Sequence, residues 1–345
     1  MSAVADMEAC RAAIRTGSLS FHAASKLLPA RVRDPALVLY AFCRLADDAV
    51  DEGRDPVAAV LHLQDRLDRA YRGAPRAAAV DRAFARLIEA HDLPRALPDA
   101  LLEGLAWDAE GRRFPTLSDV RAYSTRVAAV VGAMMCVLMG VRDRDRLARA
   151  CDLGLAMQLT NIARDVGQDA RRGRIYLPLD WFAEAGLDPD DFTRSPQPRP
   201  EIRAMTDRLL REATRLYQRA EPGIAALPLG CRPGIYAARH IYDGIGGVIR
   251  AQGCDSISRR AVTGHRRKLG WLALAGLKAG TSLCLPRMPT LYARPCPETA
   301  FLVEAATLEA PETPRSEALI AALARLHEHD LRRRAAYPVM DRRSA

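Results

Sequence analysis

Residues 151–169 read Cys151-Asp-Leu-Gly-Leu-Ala-Met-Gln-Leu-Thr-Asn-Ile-Ala-Arg-Asp-Val-Gly-Gln-Asp169. At about 100° per residue, Gln158, Asn161, Asp165 and Asp169 fall in one line, flanked by Leu155, Leu159, Ile162 and Val166. A surface helix sets its polar stripe opposite the core and usually mixes in lysine. This stripe holds only hydrogen-bonding and metal-ligating side chains and is bordered by apolar ones, the pattern of a helix lining an enclosed polar cavity. The basic run Arg171-Arg-Gly-Arg174 follows at once, then Tyr176-Leu-Pro178.

A second acidic pair lies upstream. The segment Ala36-Leu-Val-Leu-Tyr-Ala-Phe-Cys-Arg-Leu-Ala-Asp-Asp-Ala-Val-Asp-Glu-Gly53 also reads as a helix, with Tyr40, Arg44, Asp47 and Asp51 on one stripe and Asp48 slightly to one side. The C-terminal end of a helix already carries partial negative charge, so carboxylates gathered there repel one another unless a cation neutralises them. Alone, this segment fits a solvated acidic helix end as well as it fits a cation site. Carboxylate oxygens suit Mg²⁺ and Mn²⁺, which bind through a few carboxylates plus substrate phosphates. Two facing helices, each offering an aspartate pair, can clamp a diphosphate, and neighbouring arginines supply fixed donors to its outer oxygens. That is the equipment for ionising an allylic diphosphate, with the hydrocarbon held in an apolar centre away from water.

The rest of the chain agrees with an all-α protein. Of its 345 residues 49% are hydrophobic and 27% charged, which is a soluble globular profile, and aromatics are too few at 6% to favour sheet. The net charge of +9 suits an anionic partner, but it is almost all arginine, with lysine only at 26, 268 and 278. No basic block with interleaved aromatics is present, so nucleic-acid binding is not expected. The eight cysteines show no C-x-x-C pair and read as reduced thiols of a cytoplasmic protein. The N-terminus lacks an apolar core of the signal-peptide kind. The longest apolar run, Val127 to Val141, is short for a membrane span, and Leu269 to Leu285 is interrupted by Lys278. Helical patterning broken by proline and glycine runs to about residue 285. Six prolines then fall between 286 and 314. The expected organisation is a helical domain over 1–285, a Pro-rich linker over 286–315, and an appended amphipathic helix and tail over 316–345.

Set beside these features, the chain resembles the squalene and phytoene synthase family over roughly residues 15 to 285, and its phytoene-forming bacterial branch in character. The residues carrying the resemblance are Ser18-Leu-Ser-Phe21, Leu27-Leu-Pro29, and Tyr40-Ala-Phe-Cys-Arg44 running into Asp47-Asp48-x-x-Asp51-Glu52. Tyr123 with Val127-Ala128 and Val131-Gly132, the run Gln158 to Asp169, and Arg172-Gly-Arg-x-Tyr176-Leu-Pro178 complete the set. The resemblance implies an isoprenoid-synthase fold, a helical bundle around a central cavity. It implies the head-to-head joining of two geranylgeranyl diphosphates through prephytoene diphosphate to phytoene, with Mg²⁺ or Mn²⁺ as cofactor. By position it makes Asp47, Asp51, Asp165 and Asp169 metal ligands, with Asp48 auxiliary. Ser18, Arg44, Gln158, Asn161, Arg164 and Arg174 become substrate or diphosphate contacts. Tyr40, Tyr123, Tyr176 and Tyr242 become cavity-lining groups that stabilise cations or assist proton loss and leaving-group departure. Two departures stand out: Gln168 where the family commonly has Glu, and Arg126 close to the expected cavity wall.

Other readings compete. A dehydrosqualene or squalene synthase would use two farnesyl diphosphates, and chain-length choice rests on cavity depth. An inactive helical assembly protein of the same family would be marked by loss of a motif aspartate, and all four are present. Without the motifs, the tyrosines and the Met134 to Met139 stretch would read as core. The basic tail helix, ending in Arg332-Arg-Arg334, reads as solvated, with peripheral attachment to the inner face of an anionic membrane as the alternative.

Overall fold

The structure is a computed structural model and describes residues 2–17, 24–51, 55–284, 286, 288–307, 320 and 322–328. Among these residues there is helix and turn but no strand. The helices are α1 (Ala3–Gly17), α2 (Ala30–Asp51), α3 (Pro56–Tyr71), α4 (Ala79–His91), α5 (Ala96–Ala109), α6 (Leu117–Ser124), α7 (Val130–Leu138), α8 (Arg144–Arg171), α9 (Leu179–Glu184), α10 (Pro189–Arg194), α11 (Pro200–Ala226), α12 (Arg232–Ala251), α13 (His265–Thr281) and α14 (Ala300–Ala306).

The segment with the polar stripe belongs to α8, a helix of 28 residues started by Asp143, whose side chain accepts the Arg146 N–H at 3.0 Å. Its apolar neighbours Leu155, Leu159 and Ile162 are buried, so the stripe faces inward as its borders require. Around it α2, α5, α6, α7, α11 and α12 enclose one cavity.

Close approach of backbones shapes the wall. Between α6 and α7 lies a π-helical turn, Thr125–Ala129. Tyr123, Val127, Val131, Met135 and Met139, spaced by four, all line the cavity. In an uninterrupted α-helix such a row drifts round the axis, and the wider turn takes up part of that drift. Gly154 on α8 makes room for this turn: a Cβ there would sit 2.5 Å from the Ala129 Cα. A Cβ at Gly132 would meet the Ala150 carbonyl oxygen at 2.6 Å.

The C-terminal organisation differs from the sequence expectation. Over 288–307 the expected linker is instead packed structure, with turns at Pro289–Tyr292 and Pro297–Thr299 and then α14. Leu302 and Val303 of α14 are fully buried, and the buried Arg149 donates to the carbonyl oxygens of Thr290 (2.5 Å) and Arg294. The prolines there start short helices rather than extend a linker. Of the appended helix, residues 320 and 322–328 are helical; Ala322, Leu323 and Leu326 are buried, and Arg325 pairs with Glu110 at 3.0 Å. That portion therefore has a packed face and is not solvated all round; the remainder of 316–345 lies outside the described residues.

Glycine positions give a paired test. Gly154→Ala drives a methyl into backbone and is expected to lower unfolding free energy by about 1–3 kcal/mol. Gly276→Ala, in α13 with nothing within 4 Å of its added Cβ, is expected to raise it by about 0.5–1 kcal/mol. Urea unfolding of the two variants against the parent reads both signs.

Candidate active site

The cavity has a volume of about 500 Å³. Its body is mostly apolar, from Leu39 and Leu101 through Val131 and Met135 to Met157 and Ile235; Arg146 and Arg149 join the lining near the start of α8, and a second polar group stands at the end where α8 carries Gln158, Asn161 and Arg164. There α2 contributes Tyr40, Arg44 and Asp47, α5 contributes Asp108, α8 contributes Gln158, Asn161 and Arg164, and α12 contributes Tyr242.

The two aspartate pairs sit on opposite sides of this end and are tied together by the arginines after α8. Arg174 donates to Asp51 at 2.6 Å, and Arg172 approaches the same carboxylate at 3.7 Å. The Arg174 charge also acts on Asp47, Asp169 and Asp108, which places it between the pairs. Asp165 is held by Arg164 at 2.5 Å and by Arg260, from the loop before α13, at 2.7 Å. On α2, Arg44 contacts Asp48 at 2.6 Å and Asp47 at 3.8 Å.

The carboxylates respond differently to these surroundings. Burial pushes Asp169 up to about 7, and the neighbouring Asp165 adds to the shift. Asp47 has a solvent-facing tip but stands in a concave wall; this desolvation, with Asp51 beside it, pushes it up to about 6. Burial also acts on Asp165, but hydrogen bonds from Arg164 and Arg260 outweigh it and hold the group below its ordinary value. One member of each pair is thus charge-compensated by arginine, and the other is left short of positive charge.

Among the described residues no three Asp, Glu, His or Cys side chains converge as a ready-made metal cage. Yet the Asn161 Oδ1 is buried without a hydrogen-bond partner, one helical turn before Asp165, and the arginines near Asp47 and Asp169 only partly offset their burial. An oxygen-rich rim of that kind fits Mg²⁺ or Mn²⁺, which take only one or two carboxylates and complete their shells with water and phosphate.

Below the rim, Asp108 accepts hydrogen bonds from the hydroxyls of Tyr123 (2.9 Å) and Tyr176 (2.7 Å). The two rings stack at 5.1 Å, and Phe114 lies 5.0 Å from Tyr123. Burial pushes Asp108 up to about 6 against the pull of the two hydroxyls. Both phenols are raised above their ordinary range, first by burial and then by Asp108, so they remain protonated donors with fixed ring planes. Across the cavity, burial raises Tyr40, and Tyr242 lies close enough to add to this.

Of the site residues expected from the sequence, Tyr40, Arg44, Asp47, Tyr123, Gln158, Asn161, Arg164 and Tyr242 line the cavity, while Asp48, Asp165 and Tyr176 contact lining residues, Asp51 and Asp169 lie beside them with Arg174, and Ser18 lies outside the described residues. Arg126 points away: it pairs with the buried Glu103 at 2.7 Å and stacks over Trp107 at 4.3 Å. Asp108 and Arg260 escaped the sequence reading. Leu101, Leu105 and Asp108 share an i, i+4, i+7 row that could have revealed the first, although Asp99 and Glu103 on the same helix blur the signal. Arg260 is one of two adjacent arginines in its loop, and no local pattern marks it.

An aspartate whose folded value exceeds its unfolded one favours the folded state while protonated. Stability is then lost as pH rises from the ordinary value of 3.8 through about 7. In metal-free protein, Asp169→Asn is expected to raise the unfolding free energy at pH 8 by on the order of 1 kcal/mol or more, with a smaller gain at pH 5. Thermal melts in chelator at the two pH values check this; a loss of stability at pH 8 contradicts it.

Comparison with known proteins agrees with this geometry. A sequence profile of the squalene/phytoene synthase family matches residues 14–268. A phytoene synthase of Cereibacter sphaeroides is 61% identical over 340 residues, covering 96% of each chain. One from Rhodobacter capsulatus is 59% identical over 333 residues, covering 96% of this chain and 98% of the relative. Among solved structures, a dehydrosqualene synthase with bound ligand superposes with a TM-score of 0.74 at 28% identity, over 81% of this chain and 98% of the other. A squalene synthase from Alicyclobacillus acidocaldarius gives a TM-score of 0.66 at 26% identity, over 72% and 94% respectively. By its motifs, its cavity and these relatives, the chain belongs to the squalene/phytoene synthase family.

Proposed function

We propose that this chain is a phytoene synthase, joining two geranylgeranyl diphosphates head-to-head and releasing diphosphate at each of two steps. The observation that carries the reading is the pair of facing aspartate pairs, interleaved with arginines, at the polar end of an apolar cavity. The relatives sharing 61% and 59% identity, both phytoene synthases, support the C20 substrate over the C15 one.

In the first step the C1–O bond of one substrate breaks, and the double bond of the second attacks the allylic cation. Proton loss closes the cyclopropane of prephytoene diphosphate. In the second step that diphosphate leaves, the skeleton rearranges to the 1,1′ linkage, and a second proton loss gives phytoene. Mg²⁺ or Mn²⁺ held by Asp47, Asp51, Asp165 and Asp169, with Asp48 supporting Arg44, would neutralise charge on the departing diphosphate. Arg44, Arg164, Arg172, Arg174 and Arg260 surround the same end with N–H donors for its outer oxygens. Gln158 and Asn161 orient the reacting end of the substrate, and the apolar walls exclude water from the cation. Because Tyr123 and Tyr176 are anchored through Asp108, they present fixed aromatic faces to the cation rather than free acids. Tyr40 and Tyr242 close the opposite wall.

All eight cysteines are free, which supports a cytoplasmic, reducing setting. A hydrocarbon product favours work at the inner face of a membrane.

Incubation of purified protein with geranylgeranyl or farnesyl diphosphate and Mg²⁺ or Mn²⁺, followed by mass analysis of the hydrocarbon, is expected to give a C40 product from the C20 substrate. A C30 product alone moves the reading to a dehydrosqualene-type synthase, and no hydrocarbon under either metal overturns it. Asp47→Ala and Asp165→Ala are each expected to lower turnover by a factor on the order of 10³ or more with the helical circular dichroism retained. Near-normal turnover in either contradicts the ligand assignment.

A further inference from the structure

Large exposed apolar side chains are concentrated along one region of the surface. Val262, Leu269, Leu274, Leu277, Leu283 and Met288 all lie on or beside α13, with Leu269 65%, Leu277 64% and Leu283 61% exposed. The inner face of α13 is fixed to the body: Ala275 and Ala279 are buried, Lys278 bonds Glu221, and Trp271 lies against Gly244 of α12. The outer face, by contrast, runs from Leu269 through Ala273, Gly276 and Leu277 to Gly280 and Cys284 without a charged residue. For a soluble surface this is an unusual helix.

Its charges sit at the N-terminal end, in His265-Arg-Arg-Lys268. Arg267 is exposed, and among the described residues neither it nor Lys268 has an ion-pair partner. Positive charge at a helix N-terminus opposes the helix dipole and costs stability, so the fold itself gains nothing from this placement.

The position of α13 relative to the cavity adds a second observation. Arg260, just before the helix, sits at the diphosphate end on Asp165. At the other end Arg232 donates to Ser282 at 2.9 Å, beside the turn Leu229–Cys231. The segments around that turn wall the cavity with Leu28, Leu227 and Gly234, and carry Leu27 and Leu229 outward, 37% and 50% exposed. A Cβ at Gly230 would touch Pro29 at 2.9 Å, which joins the two segments. The helix, about 25 Å long at 1.5 Å per residue, packs on α12, itself a wall of the cavity, and runs from the side of Arg260 to the turn where exposed Leu27 and Leu229 stand next to the lining residues Leu28 and Leu227.

We propose that the outer face of α13, together with Leu27 and Leu229, docks on an anionic lipid bilayer. The leucines enter the acyl boundary, and Arg267 and Lys268 meet the phosphate headgroups. This deepens the reading of work at a membrane by naming the surface, and it places the apolar wall of the cavity next to the phase that receives a hydrocarbon product.

The test is flotation of the full chain with vesicles of phosphatidylcholine alone or with about 30 mol% phosphatidylglycerol. Parent protein is expected to float with the anionic vesicles and about ten-fold less with the neutral ones. L269E/L277E, and separately R267E/K268E, are expected to lose binding about ten-fold while keeping the parent's melting temperature and its activity in detergent. Double variants that float like the parent overturn the surface assignment but leave membrane work intact. A parent that binds neither vesicle overturns both, and leaves the C40 product assay untouched. If the parent in solution is a dimer that L277E dissociates, the face covers a second copy and the proposal fails.

Discussion

Like charges crowded at the edge of a low-dielectric cavity govern this architecture. Asp47, Asp51, Asp165, Asp169 and Asp108 are drawn toward one end of an apolar chamber, where ionised carboxylates lose water and repel one another. The chain relieves the problem only in part. Arginines compensate Asp51 and Asp165, and two tyrosines bond Asp108, while Asp47 and Asp169 remain raised toward neutrality. A fold optimised for stability alone would replace such a cluster with apolar side chains, so its retention points to a ligand that supplies positive charge.

The same cluster depends on how tightly the backbones approach. Gly154 and Gly132 bring α8, the π turn and α7 into contact, which fixes the distance at which α8 presents its stripe to the chamber. The buried pair of Arg126 with Glu103 draws a strong charge out of the wall and toward α14, keeping that wall apolar. The packing of residues 288–307 against Arg149 then seals the lower side of α8. Catalytic geometry and core packing share the same helices here.

Much of this was legible in the sequence where a polar row was bordered by apolar ones. Gln158, Asn161, Asp165 and Asp169 revealed both an inward-facing helix and its chemistry, because periodicity constrains them jointly. Asp47 and Asp51 were ambiguous alone and gained meaning only from a partner helix. Asp108 was hidden because Asp99 and Glu103 on the same buried helix are paired with structural arginines, so acidity did not distinguish it. Arg260 reaches Asp165 across 95 positions, a contact no local pattern encodes. The region 288–307 was misread because prolines there begin short helices, and its density of proline resembles that of a linker.

With no three-carboxylate cage among the described residues, divalent metal and diphosphate are expected to bind together, each completing the other's site. Titration of the protein with Mn²⁺, followed by electron paramagnetic resonance with and without inorganic diphosphate, tests it most directly. Weak Mn²⁺ binding is expected alone, with marked tightening when diphosphate is added and loss of that coupling in Asp165→Asn. Equal Mn²⁺ affinity with and without diphosphate, or coupling that survives the substitution, would contradict it.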